Sequence, residues 1–401
     1  MAAREVVIVD GARTAIGRFG GALRDLTVVD VGAVAMKGAV AKSGIKADQL
    51  EEIIVGHSRQ AGNGPNPPRI AAIRAGFPVT IPVFAINQAC LAGMQAVIAA
   101  SREIALEQAD IILAGGMEHH SSIPFLSMET RWGHRMGDTS LIDAMYKDGY
   151  TCGIRGEHMG ALTDDLGKRY GISRVEQDTF ALESQQKAAK GKASGFYAKM
   201  IVPVEIKQPR GAPIVFQEDE HPRPDTTMET LARLPRAFRP DGTITAGNAS
   251  GITDGAAAMI VMSKDKAKAL GLKPLGTVLS YATAATEPQD FGIAPVAAAR
   301  KALARAGLTL NDISLVEINE AFAVQVLAVV KDLGLPKEKV NPYGGAIALG
   351  HPTGMSGARI TFQLLYELEE TKGRYGLAAI CGNGGQGAAM VVELAEERRR
   401  K

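Results

Sequence analysis

The sequence predicts an α/β protein made of two similar βα halves, with a long irregular insertion placed after the first. Three observations carry that expectation. Short apolar runs alternate with stretches of helical period, the pattern of a mainly parallel sheet covered on both faces. Segments near the start recur near the end at an almost constant separation. Between them, from about Glu118 to Asn248, most of the chain's irregular, charged and Pro-rich sequence is gathered.

The elements follow in order. Glu5-Val6-Val7-Ile8-Val9 is a first strand, with no signal peptide or transit-type segment before it. Val28 to Lys42 has helical spacing and stops at Ser43-Gly44. Glu52 to Gly56 is a strand, followed by a loop with Gly62, Gly64, Pro65, Pro67 and Pro68 and a short helix to Ala75. Pro82 to Ile86 is a buried strand that ends at the polar pair Asn87-Gln88. Cys90 then opens a helix to about Gln108, apolar on nearly every face and therefore buried. Asp110 to Gly116 is another strand. Inside the insertion, Ser173-Arg174-Val175-Glu176 is a capping box before an amphipathic helix reaching Lys190. Order returns at Gly251-Ile252-Thr253-Asp254-Gly255, which leads into a strand of Ala, Met, Ile and Val. Leu275 to Ala282 is a further strand, and Pro295 sits in the first turn of a helix ending near Gly307.

From there the chain repeats itself. Gly44 to Gly56 resembles Gly307 to Asn319, Cys90-Leu-Ala-Gly93-Met94 matches His351-Pro-Thr-Gly354-Met355, and the strand ending at Gly115 matches the one ending at Cys381. In a parallel sheet, ligands meet the chain at the carboxyl ends of strands. Cys90, Asn319, His351 and Cys381 all fall at such ends, so halves packed about a pseudo-twofold axis would bring them together.

Composition sets bounds. A chain of 401 residues exceeds one typical domain, and 45 glycines imply many tight turns. A net charge of +2 without a basic block argues against nucleic acid; the terminal Arg398-Arg399-Arg400-Lys401 is expected to be a frayed, solvated end. Three cysteines without paired spacing argue against a disulfide scaffold or a zinc site and favour a reducing, cytoplasmic compartment. No apolar run approaches the ~20 residues that span a bilayer.

Two cysteines, one histidine and one asparagine form a sensible set for acyl transfer. Cys90 would be the nucleophile; helix N–H groups and the helix dipole would favour its thiolate, and His351 could take its proton. The plainer reading of a free Cys on an apolar helix is a small buried hydrophobe. His351 lies in a glycine-rich turn, Gly344 to Gly354, that allows close backbone approach to a ligand. Cys381 begins Cys381-Gly382-Asn383-Gly384-Gly385-Gln386-Gly387, whose backbone could aim N–H groups at an oxyanion. Asn319 could orient a second oxyanion site or simply cap a helix. Cys152 has no repeat partner and is read as structural.

These residues carry a resemblance to the thiolases over essentially the whole chain. Asn319-Glu-Ala-Phe-Ala323, Gly344-Gly-Ala-Ile-Ala-Leu-Gly-His351-Pro, the Cys381 glycine run and Ala246-Gly-Asn-Ala-Ser250-Gly-Ile-Thr-Asp-Gly-Ala257 resemble four family signatures in order and spacing. The resemblance implies a five-layered αβαβα fold of two duplicated halves plus an inserted loop domain, with halves at 1–118 plus 249–271 and at 272–401, and the insertion at 119–248. It implies an acetyl-CoA C-acetyltransferase of the biosynthetic type, working by ping-pong chemistry. Cys90 would be acylated and Cys381 would move the α-proton. His351 would activate Cys90 and, with a water held by Asn319, form one oxyanion hole; the backbone N–H groups of Cys90 and Asn383 would form the other. The matching CoA-binding positions are His158, Met159, Leu231, Phe238, Ala246, Ser250 and Phe322. Coenzyme A thioesters would be substrates, with no further cofactor and no metal. Arg131 to Gly149 resembles a tetramer-forming loop, implying a homotetramer that binds neither nucleic acid nor membrane.

Departures from the family pattern bear on the acyl group. Leu91 and Ala92 follow Cys90 where small Gly or Ser is usual. Asn383 stands for a glycine, as a residue tolerant of positive φ. Phe291 and Ile293-Ala294 precede Pro295, and Met355 is large. They leave open a 3-ketoacyl-CoA thiolase for longer or branched chains. A non-catalytic acyl-CoA-binding subunit is the reading from another class, and the intact Cys90, His351 and Cys381 count against it. A decarboxylating ketoacyl synthase is disfavoured by Cys381 standing where that relative has a second His.

Overall fold

The computed structural model describes residues 4–400, so Lys401 of the basic tail lies outside it. The strands that matter are β1 (Val6–Thr14), β2 (Glu52–Gly56), β3 (Val83–Ile86), β4 (Ile111–His119), β5 (Thr253–Ser263), β6 (Gly276–Ala285), β7 (Leu315–Ile318), β8 (Tyr375–Gly382) and β9 (Gln386–Leu394). The helices are α1 (Val28–Ser43), α2 (Pro67–Arg74), α3 (Ala92–Ala105), α4 (Met159–Tyr170), α5 (Arg174–Ala193), α6 (Ala294–Ala306), α7 (Ala323–Leu333) and α8 (Thr353–Thr371).

The strands run in the order β7-β8-β9-β6-β1-β5-β4-β2-β3. The same motif appears twice: β1-β5-β4-β2 in the first half is repeated as β6-β9-β8-β7 in the second. Where β3 lies beyond β2, only an isolated parallel bridge, Val316 to Val340, lies beyond β7. The two sheets meet through three residue pairs, Val6 with Val278, Val7 with Thr277 and Ile8 with Gly276. Directions correct the expectation of a mainly parallel sheet. β2 is parallel to β3 and β4, and β7 to β8, but β1, β5, β6 and β9 run antiparallel to their neighbours. A strand buried on both faces is apolar whichever way it runs, so its sequence carries no direction.

Three apolar cores give five layers. α1 and α2 cover the outer face of the first sheet, and α6 and α7 that of the second. The largest core lies between the sheets, filled by α3 and α8. α1 begins at a capping box in which the Thr27 hydroxyl accepts from the Asp30 N–H (3.3 Å) and the Asp30 carboxylate accepts from the Thr27 N–H (2.9 Å). It stops at Gly44, whose φ of 74° suits the left-handed end of a helix.

The two central helices meet at glycines. A Cβ at Gly93 would fall 2.6 Å from the Gly354 carbonyl oxygen, one at Gly357 2.4 Å from the Met94 nitrogen, and one at Gly116 2.0 Å from the Gly354 oxygen. No side chain fits there, so the first turns of α3 and α8 touch backbone to backbone. Gly93 and Gly354 are repeat-matched, and the residues just before these helices are Cys90 and His351.

The insertion holds α5, as its capping box predicted, and also α4, which the sequence reading missed. Gly160 and Gly167 lower the helical propensity of α4, but each marks a contact: a Cβ at Gly160 would meet Phe238 at 2.3 Å, and one at Gly167 would meet Val324 at 2.9 Å. The basic tail is not frayed over the described residues. Glu396–Arg399 forms a short helix, and Arg398 pairs with Glu369 at 3.0 Å.

Candidate active site

Cys90 does not open α3, which starts two residues later at Ala92. It sits on a tight turn after β3, preceded by Ala89 at φ 49°, a strained value for a residue with a Cβ. The turn is held by the Asn87 side chain: its Oδ1 accepts from the Ala89 N–H at 3.1 Å, and its amide donates to the Ser58 carbonyl at 3.0 Å. Cys90 is partly exposed. Burial pushes its thiol pKa up; the Arg59 charge and the N–H groups of Cys90 and Asn383 pull the other way without overcoming it. The expected helix-end thiolate is therefore not the resting form. The thiol holds its proton until a base removes it.

His351 supplies a base in the neutral form. Burial, with the positive fields of His120, Arg59 and Arg359, lowers its pKa to about 3. Its Nδ1 lies 2.7 Å from Ser356 Oγ, and that hydroxyl donates to the Pro352 carbonyl at 3.0 Å. The hydroxyl proton being committed, Nδ1 must carry the imidazole proton and donate. Nε2 is then the acceptor, taking a hydrogen bond from the Asn319 amide nitrogen at 3.4 Å. Asn319 is fully buried at the end of β7, and its Oδ1 has no protein partner.

Cys381 lies in β8, paired with Gly387 of β9, and is 1% exposed. Sheet pairing shifts its place in the repeat. Ile53 pairs with Leu113, and its counterpart Val316 with Leu377, so Cys381 corresponds to Met117 rather than Gly115. Burial, and then the neighbouring Cys90, push its thiol up. It packs with Phe291, Met159, Leu162, Ala321 and Cys152, so the buried Cys152 belongs to the wall beside it. Asn383 does not use positive φ; Gly384 and Gly385 do. Its side chain instead donates to the carbonyls of Gly149 (2.9 Å) and Thr151 (3.1 Å), tying the insertion to the site.

The seven positions matched to CoA binding form a neighbouring strip. His158 caps α4, its Nδ1 accepting from the Gly160 N–H at 3.0 Å, and stacks on Phe238 with ring centres 4.5 Å apart. Burial lowers its pKa, so the ring is neutral. Phe238 meets Phe322 edge to face at 6.1 Å, and the Ser250 N–H donates to the Ala321 carbonyl at 3.0 Å. Leu231 packs against Gly247, beside the exposed Ala246. Met159 joins this strip to the Cys381 cluster.

Sequence reasoning missed a buried polar cluster at the same end of the sheets: His57, Ser58 and Arg59 after β2, Glu118 to His120 at the end of β4, Tyr150 of the insertion, and Thr353 of α8. The carboxyl-end rule that picked out Cys90 and Asn319 applies equally to these residues. Leu91 and Met355, expected to shape the acyl pocket, are wholly buried core residues. Phe291 does border Cys381.

Two neighbouring thiols and a neutral imidazole hydrogen-bonded to a buried amide, drawn from both halves, are groups suited to acyl transfer. Residues 6–265 match the family described as thiolase, N-terminal domain, and residues 272–394 that described as thiolase, C-terminal domain. An acetyl-CoA acetyltransferase of Syntrophomonas wolfei is 49% identical over 396 residues, covering 97% of this chain and 99% of that one. The crystal structure of the Bacillus anthracis acetyl-CoA acetyltransferase superposes with a TM-score of 0.96 at 42% identity, over 98% of this chain and 100% of the other. Human mitochondrial 3-ketoacyl-CoA thiolase superposes with a TM-score of 0.94 at 38% identity, over 98% and 99%. The chain belongs to the thiolase family of enzymes.

Proposed function

We propose that the chain is an acetyl-CoA C-acetyltransferase, joining two acetyl-CoA to acetoacetyl-CoA and CoA or running the reverse thiolysis. The observation that carries this reading is the pairing of two thiols with one neutral imidazole. Cys90 attacks the thioester carbonyl as His351 Nε2 takes its proton, and CoA leaves from the acyl-enzyme. The departing CoA sulfur takes the Cys381 proton; the Cys381 thiolate then removes the α-proton of the second acetyl-CoA, and the resulting carbanion attacks S-acetyl-Cys90, whose sulfur leaves and recovers its proton from His351. The N–H groups of Cys90 and Asn383 hold the oxyanion on the acyl-enzyme; His351 and Asn319, with a water, hold that of the second thioester. This chemistry needs a nucleophile and a base, and CoA thioesters enter as substrates without a resident cofactor.

His158, Met159, Leu231, Phe238, Ala246, Ser250 and Phe322 are the proposed CoA surface, on and beside the 119–248 insertion. A homotetramer fits the exposed Trp132 (94%), Met136 (90%) and Leu141 (68%) of the 131–149 loop, and the unpaired outer edge of β3. No helix among the described residues is long and apolar enough to cross a membrane. The three free cysteines suit a cytoplasmic setting.

Rates with acetoacetyl-, 3-ketohexanoyl- and 2-methylacetoacetyl-CoA test the reading. Acetoacetyl-CoA should be thiolysed fastest; a clear preference for the six-carbon substrate would move the protein to the longer-chain class.

A further inference from the structure

The cluster around Arg59 and Glu118 takes part in none of these steps, yet its charges are deeply buried, with side-chain exposures of 5% and 0%. Isolated charges there would be costly, and these have several polar partners, although Arg59 Nε has none. Arg59 Nη1 donates to Ser58 Oγ (2.8 Å) and Thr353 Oγ1 (2.5 Å). The Glu118 carboxylate accepts from the hydroxyls of Ser58 and Thr353 and from the N–H groups of Gly354 (3.0 Å) and Arg59 (3.2 Å). The Tyr150 ring covers the guanidinium at 5.1 Å, and a Cβ at Gly149 would fall 2.4 Å from Arg59 Nε.

The two ends of this cluster lead to the two reacting turns. On one side the Ser58 carbonyl binds Asn87, which holds the N–H of strained Ala89, the residue before Cys90. On the other, Thr353 and Gly354 begin α8 just after His351-Pro352. His57 Nε2 lies 3.4 Å from the same Glu118 carboxylate.

We propose that Arg59 and Glu118 are a positioning pair that fixes the Cys90 turn against the His351 turn and sets a permanent positive charge toward the Cys90 sulfur. The proposal rests on the reading of Cys90 as the acylated nucleophile. The two members act oppositely on the Cys90 thiol, the guanidinium favouring thiolate and the carboxylate opposing it. The other titratable groups facing this region are His57 and His120 of the first half, Tyr150 of the insertion, and His351 and Cys381 of the second half.

The test is the pH dependence of iodoacetamide alkylation at Cys90, read by mass spectrometry of the Cys90 peptide, alongside steady-state kinetics. Arg59→Met should raise the alkylation midpoint by about one pH unit and lower kcat about 100-fold, with KM changed less than about threefold. Glu118→Gln should lower the midpoint. Arg59→Lys, which keeps the charge, should stay near the parent midpoint. Because Arg59→Met leaves Glu118 buried and unpaired, Arg59→Met/Glu118→Gln serves where the single variant fails to fold; its midpoint should lie above that of Glu118→Gln. Midpoints that stay put, or that move the same way for Arg59→Met and Glu118→Gln, would overturn the proposal. Turnover that survives complete modification of Cys90 would instead overturn the assignment of Cys90 as nucleophile.

Discussion

Leu91 fills the space in front of Gly382: a Cβ at 382 would lie 2.1 Å from Leu91 Cδ1. The residues following the two reactive cysteines are thus fitted to each other, one large and one without a side chain. The backbone between the thiols is set by that fit.

The two positions should therefore be coupled. Gly382→Ala alone is expected to cost about 1–3 kcal/mol by overpacking, and Leu91→Ala about 2–5 kcal/mol by leaving a cavity. The double variant should be more stable than the sum of the two predicts, by about 0.5–3 kcal/mol. Urea unfolding of all four proteins completes the cycle, and additive losses would show that the residues are independent.

The two cysteines should fail differently. Cys90→Ala should take no label from radioactive acetyl-CoA. Cys381→Ala should be acetylated on Cys90 yet lose condensation and thiolysis by about 100-fold or more, the usual scale of a lost general base. Near-normal condensation by Cys381→Ala would make His351 the leading base.

Phe291 borders Cys381, whereas Leu91 packs against Gly382 and Met355 lies in the core between the sheets. Phe291→Ala should raise the rate with 3-ketohexanoyl-CoA relative to acetoacetyl-CoA by about tenfold, the scale of a methylene or two of pocket space. An unchanged ratio would place the acyl chain on another wall.

Stability should respond to pH through two buried carboxylates of opposite sign. Burial raises Glu367 to about 7 in the folded protein, from an unperturbed 4.5. The native state therefore prefers its protonated form, and that contribution, full below about pH 4.5, is lost as pH rises through 7. Glu118 is held well below the usual range despite its burial, by His57 and Arg59; its contribution is lost as pH falls. Melting temperature should peak on the acidic side of neutrality, and Glu367→Gln should flatten the alkaline limb. An alkaline limb unchanged in that variant would rule Glu367 out as its source.

What was legible in the sequence was whatever leaves a periodic or local trace. The capping box at Ser173 places α5, the apolar faces of α3 imply its burial, and the repeat joins Cys90 to His351. Strand direction was not legible, because β5 and β9 are apolar on both faces. α4 was hidden by glycines whose purpose, contact with Phe238 and Val324, exists only in three dimensions. Arg59 and Glu118 look like surface charges until the strands that carry them are seen to end beneath α8. Asn383 was expected to exploit a positive φ and does not; its side chain makes the link to the insertion instead.

The backbone contact of Gly93, Gly354 and Gly357 also bears on how the molecule matures. Cys90 arrives with one half of the chain and His351 with the other, and their turns meet only once α3 and α8 have docked. Contacts between segments so distant in sequence form late in folding. A nascent or partly unfolded chain thus lacks the arrangement of Cys90 and His351 on which the proposed acyl transfer depends. The packing that stabilises the fold is therefore also what brings the proposed nucleophile and base together.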